Sequence, residues 1–178
     1  MLNRIVYTMR IIPYNREAVV EYARKWAYSR NPEYYDFSAI GGDCTNFASQ
    51  CLFAGCGVMN YTPDLGWYYR SAFDRAAAWT GVEYFYRFLT ENAKGNGVGN
   101  GVGPLAIEVG IGELEIGDFV QLGRDTGDFY HTPVVVGFSG GNTLVAAHSY
   151  DAFNRPLTSY SFDRIRCLHV LGARRKTY

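Results

Sequence analysis

The apolar residues of this chain change their period once, and that change limits the folds open to it. From Tyr14 to about residue 93 they recur at helical spacing. From Glu115 onward they fall in short runs separated by turn signals. Asn15 is the expected N-cap of a first helix with the stripe Val19, Tyr22, Ala23, Trp26 and Ala27, ended by Asn31-Pro32. A second begins at Cys44 and carries Phe47, Ala48, Cys51 and Leu52 on one face, with Asp43 as N-cap and Gly55 as C-cap. A third covers about residues 80–93. Strands follow at Phe119 to Leu122, Phe129 to Phe138, Thr143 to His148 and about Arg164 to Leu171. Helices first and antiparallel strands second predict an α+β domain spanning residues 1–178. Residues 1–13 are expected as an extended arm, the glycine-rich run 94–104 as a mobile connection, and 172–178 as a basic tail.

Composition excludes several function classes. The 178 residues are 48% hydrophobic, too apolar for a disordered chain. Seventeen basic residues balance seventeen acidic ones, which argues against nucleic acid or an anionic membrane as the main partner. No run approaches ~18 apolar residues, so no membrane span is expected. The first ten residues lack the apolar stretch of a secretion leader, so a cytoplasmic location is expected unless a leader is missing. The four cysteines form no C-x-x-C and the three histidines no H-x-x-x-H, so a zinc site is only weakly signalled. Oligomeric state is not legible.

The chemistry centres on Cys44. As first residue of a helix its thiol feels unpaired N–H groups and the positive end of the helix dipole, which favour thiolate; Asp43 opposes this, so an imidazole is needed nearby. His131 begins one strand run and His148 ends the next. A two- or four-residue loop centred on Gly140-Gly141 puts both histidines on one sheet face. A three-residue loop or a bulge puts them on opposite faces. In the first case His131 takes the Cys44 proton and His148 orients His131, with Asp151 as the competing third residue. The segment from Tyr61 to Trp79, with Trp67 and Tyr68, reads equally as packing over a core or as the lining of a substrate cleft.

Gly42-Asp43-Cys44-Thr45-Asn46-Phe47, Gly66-Trp67-Tyr68-Tyr69, Tyr130-His131-Thr132-Pro133-Val134-Val135 and Ala147-His148-Ser149-Tyr150 resemble the bacterial putative amidase domain family. That family is related to the NlpC/P60, CHAP and papain-like cysteine hydrolases. The likeness runs from about Tyr14 to Val170. It implies a papain-like domain, its helical half packed on a C-terminal antiparallel sheet, with Cys44, His131 and His148 as the catalytic set. The implied reaction is hydrolysis of a peptide or cell-wall-peptide amide through a Cys44 thioester, without a cofactor. The Cys44 N–H and a side chain from Asn46, Gln50 or Gln121 would hold the oxyanion. Asp43, Trp67 and Tyr68 are further candidates for substrate contact. The alternatives are acyl transfer from the same intermediate, a silent peptide- or glycan-binding module, and a metal site of Cys44, His131 and His148.

Overall fold

The structure is a computed structural model and describes residues 8–177. The first strand, β1 (Thr8–Ile12), is followed by two helices, α1 (Arg16–Trp26) and α2 (Cys44–Cys56). The Asn15 side chain accepts from the Ala18 N–H, so the expected cap is formed. Helix α2 runs one residue past Gly55, to Cys56. Its left-handed terminator is Gly57 (φ 62°), whose N–H bonds the Phe53 carbonyl. Gly55 serves packing instead, because a Cβ there would collide with Tyr14 and Val19. A small pair of strands, β2 (Tyr69–Ser71) and β3 (Asp74–Arg75), leads to the short α3 (Ala77–Thr80) and to α4 (Val82–Ala93).

Among the described residues the main sheet has eight strands: β1 (Thr8–Ile12), β4 (Gly103–Val109), β5 (Phe119–Gly123), β6 (Phe129–His131), β7 (Val134–Ser139), β8 (Asn142–Ala147), β9 (Ala152–Pro156) and β10 (Arg164–Thr177). Its spine runs β1-β10-β5-β7-β8-β9, with β4 on β10 and β6 on β5, and every pairing is antiparallel. The fold is mixed α/β, with the helices between β1 and the other strands of an antiparallel sheet.

Strand β10 partners β5 with its first half, β4 along Cys167–Arg174 and β1 with its end, which curls the sheet. The residues expected as a tail, up to Thr177, are therefore strand, and residues 8–12 of the expected arm are their partner. Residues 1–7 and 178 lie outside the described residues. The glycine-rich run is pinned: Asn60 Nδ2 donates to the Val98 and Val102 carbonyls, and Asn92 Nδ2 to those of Gly103 and Pro104.

Two apolar clusters flank the sheet. The larger lies toward the helices and includes Val19, Phe47, Cys51, Trp67, Trp79, Phe119, Val134 and Ala146. The smaller holds Leu114, Val120, Leu122, Val135, Val145, Leu157 and Cys167. Successive residues go to opposite clusters, as strand alternation requires. Trp67 and Tyr68 are buried, and Trp67 packs beside Trp79 with Nε1 donating to Ser49. Trp67 and Trp79 are thus core packing, whereas Tyr61 and Phe73 of the same segment are exposed.

The β7–β8 hairpin turns at Gly140-Gly141, with Ser139 opposite Asn142 as the two-residue loop requires. That register holds to Gly137 opposite Leu144. A bulge then places Val135 opposite Val145 and Val134 opposite Ala146. The extra residue reverses the parity of everything beyond it.

Candidate active site

Cys44 opens α2, and its thiol is wedged against the main chain around His131. Sγ lies 3.9 Å from the Tyr130 carbonyl, to which the thiol donates, and 3.8 Å from Thr45 Oγ1. The segment is held in turn by Thr132, whose hydroxyl meets Thr45 Oγ1 at 3.1 Å and accepts from Gln121 Nε2 at 3.4 Å. Gln121 also donates to the Val82 carbonyl. Gln121 thus fixes the strand that presents His131, and it does not line the Cys44 cavity.

That cavity, of about 450 Å³, is lined by Cys44 and His131 together with Gly41, Gly42, Tyr130, Ser149, Tyr150, Arg155, Tyr160 and Ser161. Cys44 keeps 7% of its surface exposed and His131 6%, whereas Cys51 keeps none, so only the first thiol meets the cavity. The four cysteines are free thiols. His131 Nε2 is buried with no hydrogen-bond partner among the described residues. A buried, unpaired ring nitrogen beside a thiol in a cavity is a site waiting for a partner.

Both groups rest in their neutral forms. Burial raises the Cys44 thiol above its ordinary value, and the Asp43 charge adds to this; bonds from the Thr132 and Thr45 backbones act the other way. Burial, helped by the Arg155 charge, lowers His131 to about 4. The helix start therefore does not yield a net thiolate, because desolvation outweighs it. No hydrogen bond joins Sγ to the imidazole in this arrangement. The pair shares a cavity, and the thiol touches the residues on either side of His131.

His148 is elsewhere. It lies past the bulge, and its ring stacks on Phe47 (centroids 4.0 Å apart) on the helical side of the sheet. His131 instead opposes Leu122, a member of the smaller cluster, and its ring neighbours Tyr160. The two imidazoles occupy opposite faces, and the expected His148–His131 bond is not formed. His148 Nδ1 lies 2.6 Å from Asp43 Oδ2 and Nε2 2.9 Å from the Trp26 carbonyl, both within hydrogen-bond distance. Asp151 does not reach His131 either: both its oxygens accept from Arg30, at 2.9 and 3.0 Å.

Asp43 occupies the N-cap position but makes no side-chain cap bond. Its Oδ1 accepts from the Phe37 N–H and from Asn46 Nδ2, and its own N–H donates to Ser149 Oγ at 2.9 Å. Ser149 and Tyr150 both have left-handed backbones (φ 58° and 80°), a sharp turn that carries the Ser149 hydroxyl to the helix start. Such turns cost on the order of 1 kcal/mol per residue and persist where surrounding contacts enforce them. Gly42 (φ 103°) passes so close that a Cβ there would stand 3.3 Å from Ser149 Oγ. Asp43, His148 and Ser149 thus latch the Cys44 helix to the end of β8.

The other candidates are committed to structure. Asn46 donates to Asp43 and the Tyr35 carbonyl and accepts from Trp79 Nε1. Gln50 accepts from the Tyr22 hydroxyl. Sequence reasoning missed Tyr130, Ser149, Arg155 and Tyr160 as cavity residues. Only Tyr130 and Ser149 adjoin a motif histidine; Arg155 and Tyr160 come from a stretch with no signal of its own. Among the described residues no cluster of three or more His, Cys, Asp or Glu side chains could hold a metal, and no helix is long and apolar enough to cross a membrane.

Comparison with known proteins agrees with the motifs. A family described as putative amidase domain matches residues 13–171. An uncharacterized protein, YhbB, of Bacillus subtilis (strain 168) is 36% identical over 149 residues, covering 80% of this chain. The chain spans 44% of that relative's length. No solved structure matches.

Proposed function

Because the chain belongs to the putative amidase domain family, with amide hydrolysis as its coarse activity, we propose that it cleaves its substrate through a thioester on Cys44, with His131 as the base. The observation that carries this reading is the cavity that holds the Cys44 thiol and the unpaired His131 Nε2 together. The order, a helix-start cysteine followed by a strand histidine, is also that of the papain-like and NlpC/P60 hydrolases. We take the fold to be a variant of theirs.

The resting forms dictate the sequence of steps. A neutral imidazole can take the thiol proton as sulfur attacks the substrate carbonyl, so no thiolate–imidazolium pair need exist beforehand. We take the His131 ring to turn toward Sγ, within the cavity that both line, when substrate binds. The S–C bond forms, the carbonyl oxygen becomes an oxyanion, and the C–N bond then breaks as the imidazolium returns the proton to the leaving amine. Water, deprotonated by the same imidazole, releases the acid and restores the thiol.

The oxyanion falls at the N-terminus of α2, within reach of the Cys44 N–H. The Ser149 hydroxyl spends only an acceptor lone pair on Asp43 and lines the cavity, so its hydrogen is free to serve as second donor. His148 acts through Asp43 as a positioning residue for the nucleophile.

The test is amine release from a panel of short peptide amides, followed by mass spectrometry, with wild type beside Cys44→Ser. Loss of release in the variant at an unchanged melting temperature is expected. Release that survives the substitution overturns the proposal.

A further inference from the structure

The cavity wall carries a cation with no acidic partner. Arg155, on β9, stacks its guanidinium 3.8 Å over the Tyr160 ring. Its Nε donates to Ser159 Oγ at 2.8 Å and one terminal nitrogen to the Ser159 carbonyl at 3.2 Å. These bonds hold the planar group in one orientation and take two of its three nitrogens. Arg16, Arg30 and Arg166 each meet a carboxylate, at 2.7, 2.9 and 2.6 Å. Arg155 meets none among the described residues, and no acidic side chain lines the cavity.

A half-buried guanidinium that is fixed, desolvated on one face by an aromatic ring and left without a counter-ion is preorganised for an anion. A flexible surface arginine would instead sample water and show no such fixed contacts.

We propose that Arg155 selects substrates with a carboxylate beside the scissile amide, and that its anchored guanidinium pairs with that carboxylate while Cys44 attacks. This rests on Cys44 being the nucleophile. It also connects recognition to chemistry. The Arg155 charge disfavours a proton on His131, and a bound carboxylate would offset that charge. A substrate bearing the anion would then make His131 a stronger base than an amide lacking it.

Iodoacetate and iodoacetamide test this without knowledge of the substrate, since they differ in charge and little in shape. The rate of each at Cys44 is read by peptide mass spectrometry, and their ratio is compared with that of free cysteine. The iodoacetate-to-iodoacetamide ratio should exceed that of free cysteine by about tenfold in wild type and fall to it in Arg155→Gln. Arg155→Lys should keep part of the excess. In wild type the excess should shrink as salt is raised, a series that needs no variant. A ratio equal to that of free cysteine, or one unchanged by Arg155→Gln, overturns the anion site while leaving Cys44 reactive. Failure of both reagents to modify Cys44 overturns the nucleophile itself and the anion site with it.

Discussion

His148 Nδ1 lies 2.6 Å from Asp43 Oδ2, with both side chains all but fully buried, one residue before the cysteine that opens α2. An imidazole expected to orient His131 instead ties the end of β8 to the start of the Cys44 helix. Its second nitrogen reaches the Trp26 carbonyl, so one ring joins α1, α2 and β8.

His148→Ala should therefore act on the nucleophile's support. It leaves the Asp43 carboxylate buried without its nearest partner, a loss of about 3 kcal/mol in urea unfolding. His148→Asn, whose amide can keep one bond, should lose less. A cycle with Asp43→Asn should show coupling between the two sites. Additive effects would mean that the contact contributes nothing of its own.

The two thiols of α2 should separate cleanly. Cys44→Ala should abolish amide turnover and leave the melting temperature near that of wild type. Cys51, fully buried among core side chains, should tolerate alanine in turnover but lose about 1–2 kcal/mol of stability to the cavity left behind. Turnover lost with Cys51→Ala in a protein that melts normally would point to the wrong thiol.

His131 sets an acid limit. It sits at about 4 in the folded protein against 6.5 when exposed, so between those values the unfolded chain binds more protons. Its contribution to stability is intact above about pH 6.5, falls as pH drops toward 4, and levels off below that. The total is on the order of 3 kcal/mol. His131→Gln should flatten this part of the stability curve relative to wild type, and the acid limb of wild-type turnover should lie near pH 4. The Cys44 thiol is raised above its ordinary 9.0, so its alkylation rate should keep climbing through that pH. A plateau near neutrality would indicate a preformed ion pair.

The sequence was legible where a local pattern carried the information. Asn15 caps α1 as its side-chain chemistry requires, and Cys44 does begin a helix. The end of α2 was misplaced because two glycines stand two residues apart, and only packing against Tyr14 and Val19 separates a close-approach glycine from a terminator. Strand β1 and the end of β10 were read as arm and tail because Arg174, Arg175 and Lys176 look like a solvated basic run. Their pairing with residues 9–11 is set by backbone bonds across the length of the chain.

Two cavity-lining residues of the candidate site, Cys44 and His131, were legible because they belong to short motifs. The geometry of the site was not. One bulge at Val136 moves His148 to the other face, and no turn residue announces it. Arg155 and Tyr160 join the cavity through the path of β9 and the turn after it, which only the folded sheet determines.

Rapid-quench acylation by p-nitrophenyl acetate decides whether Cys44 forms an acyl intermediate with His131 as its base. The protein is quenched in acid at successive times, and acetyl mass is located by peptide mapping in wild type and in His131→Gln. The account predicts that Cys44 is acetylated ahead of Cys51, Cys56 and Cys167. It also predicts that His131→Gln slows both the gain and the loss of that acetyl group by about a hundredfold. Acetylation of Cys44 at equal rates in the two proteins, or first at another cysteine, would contradict it.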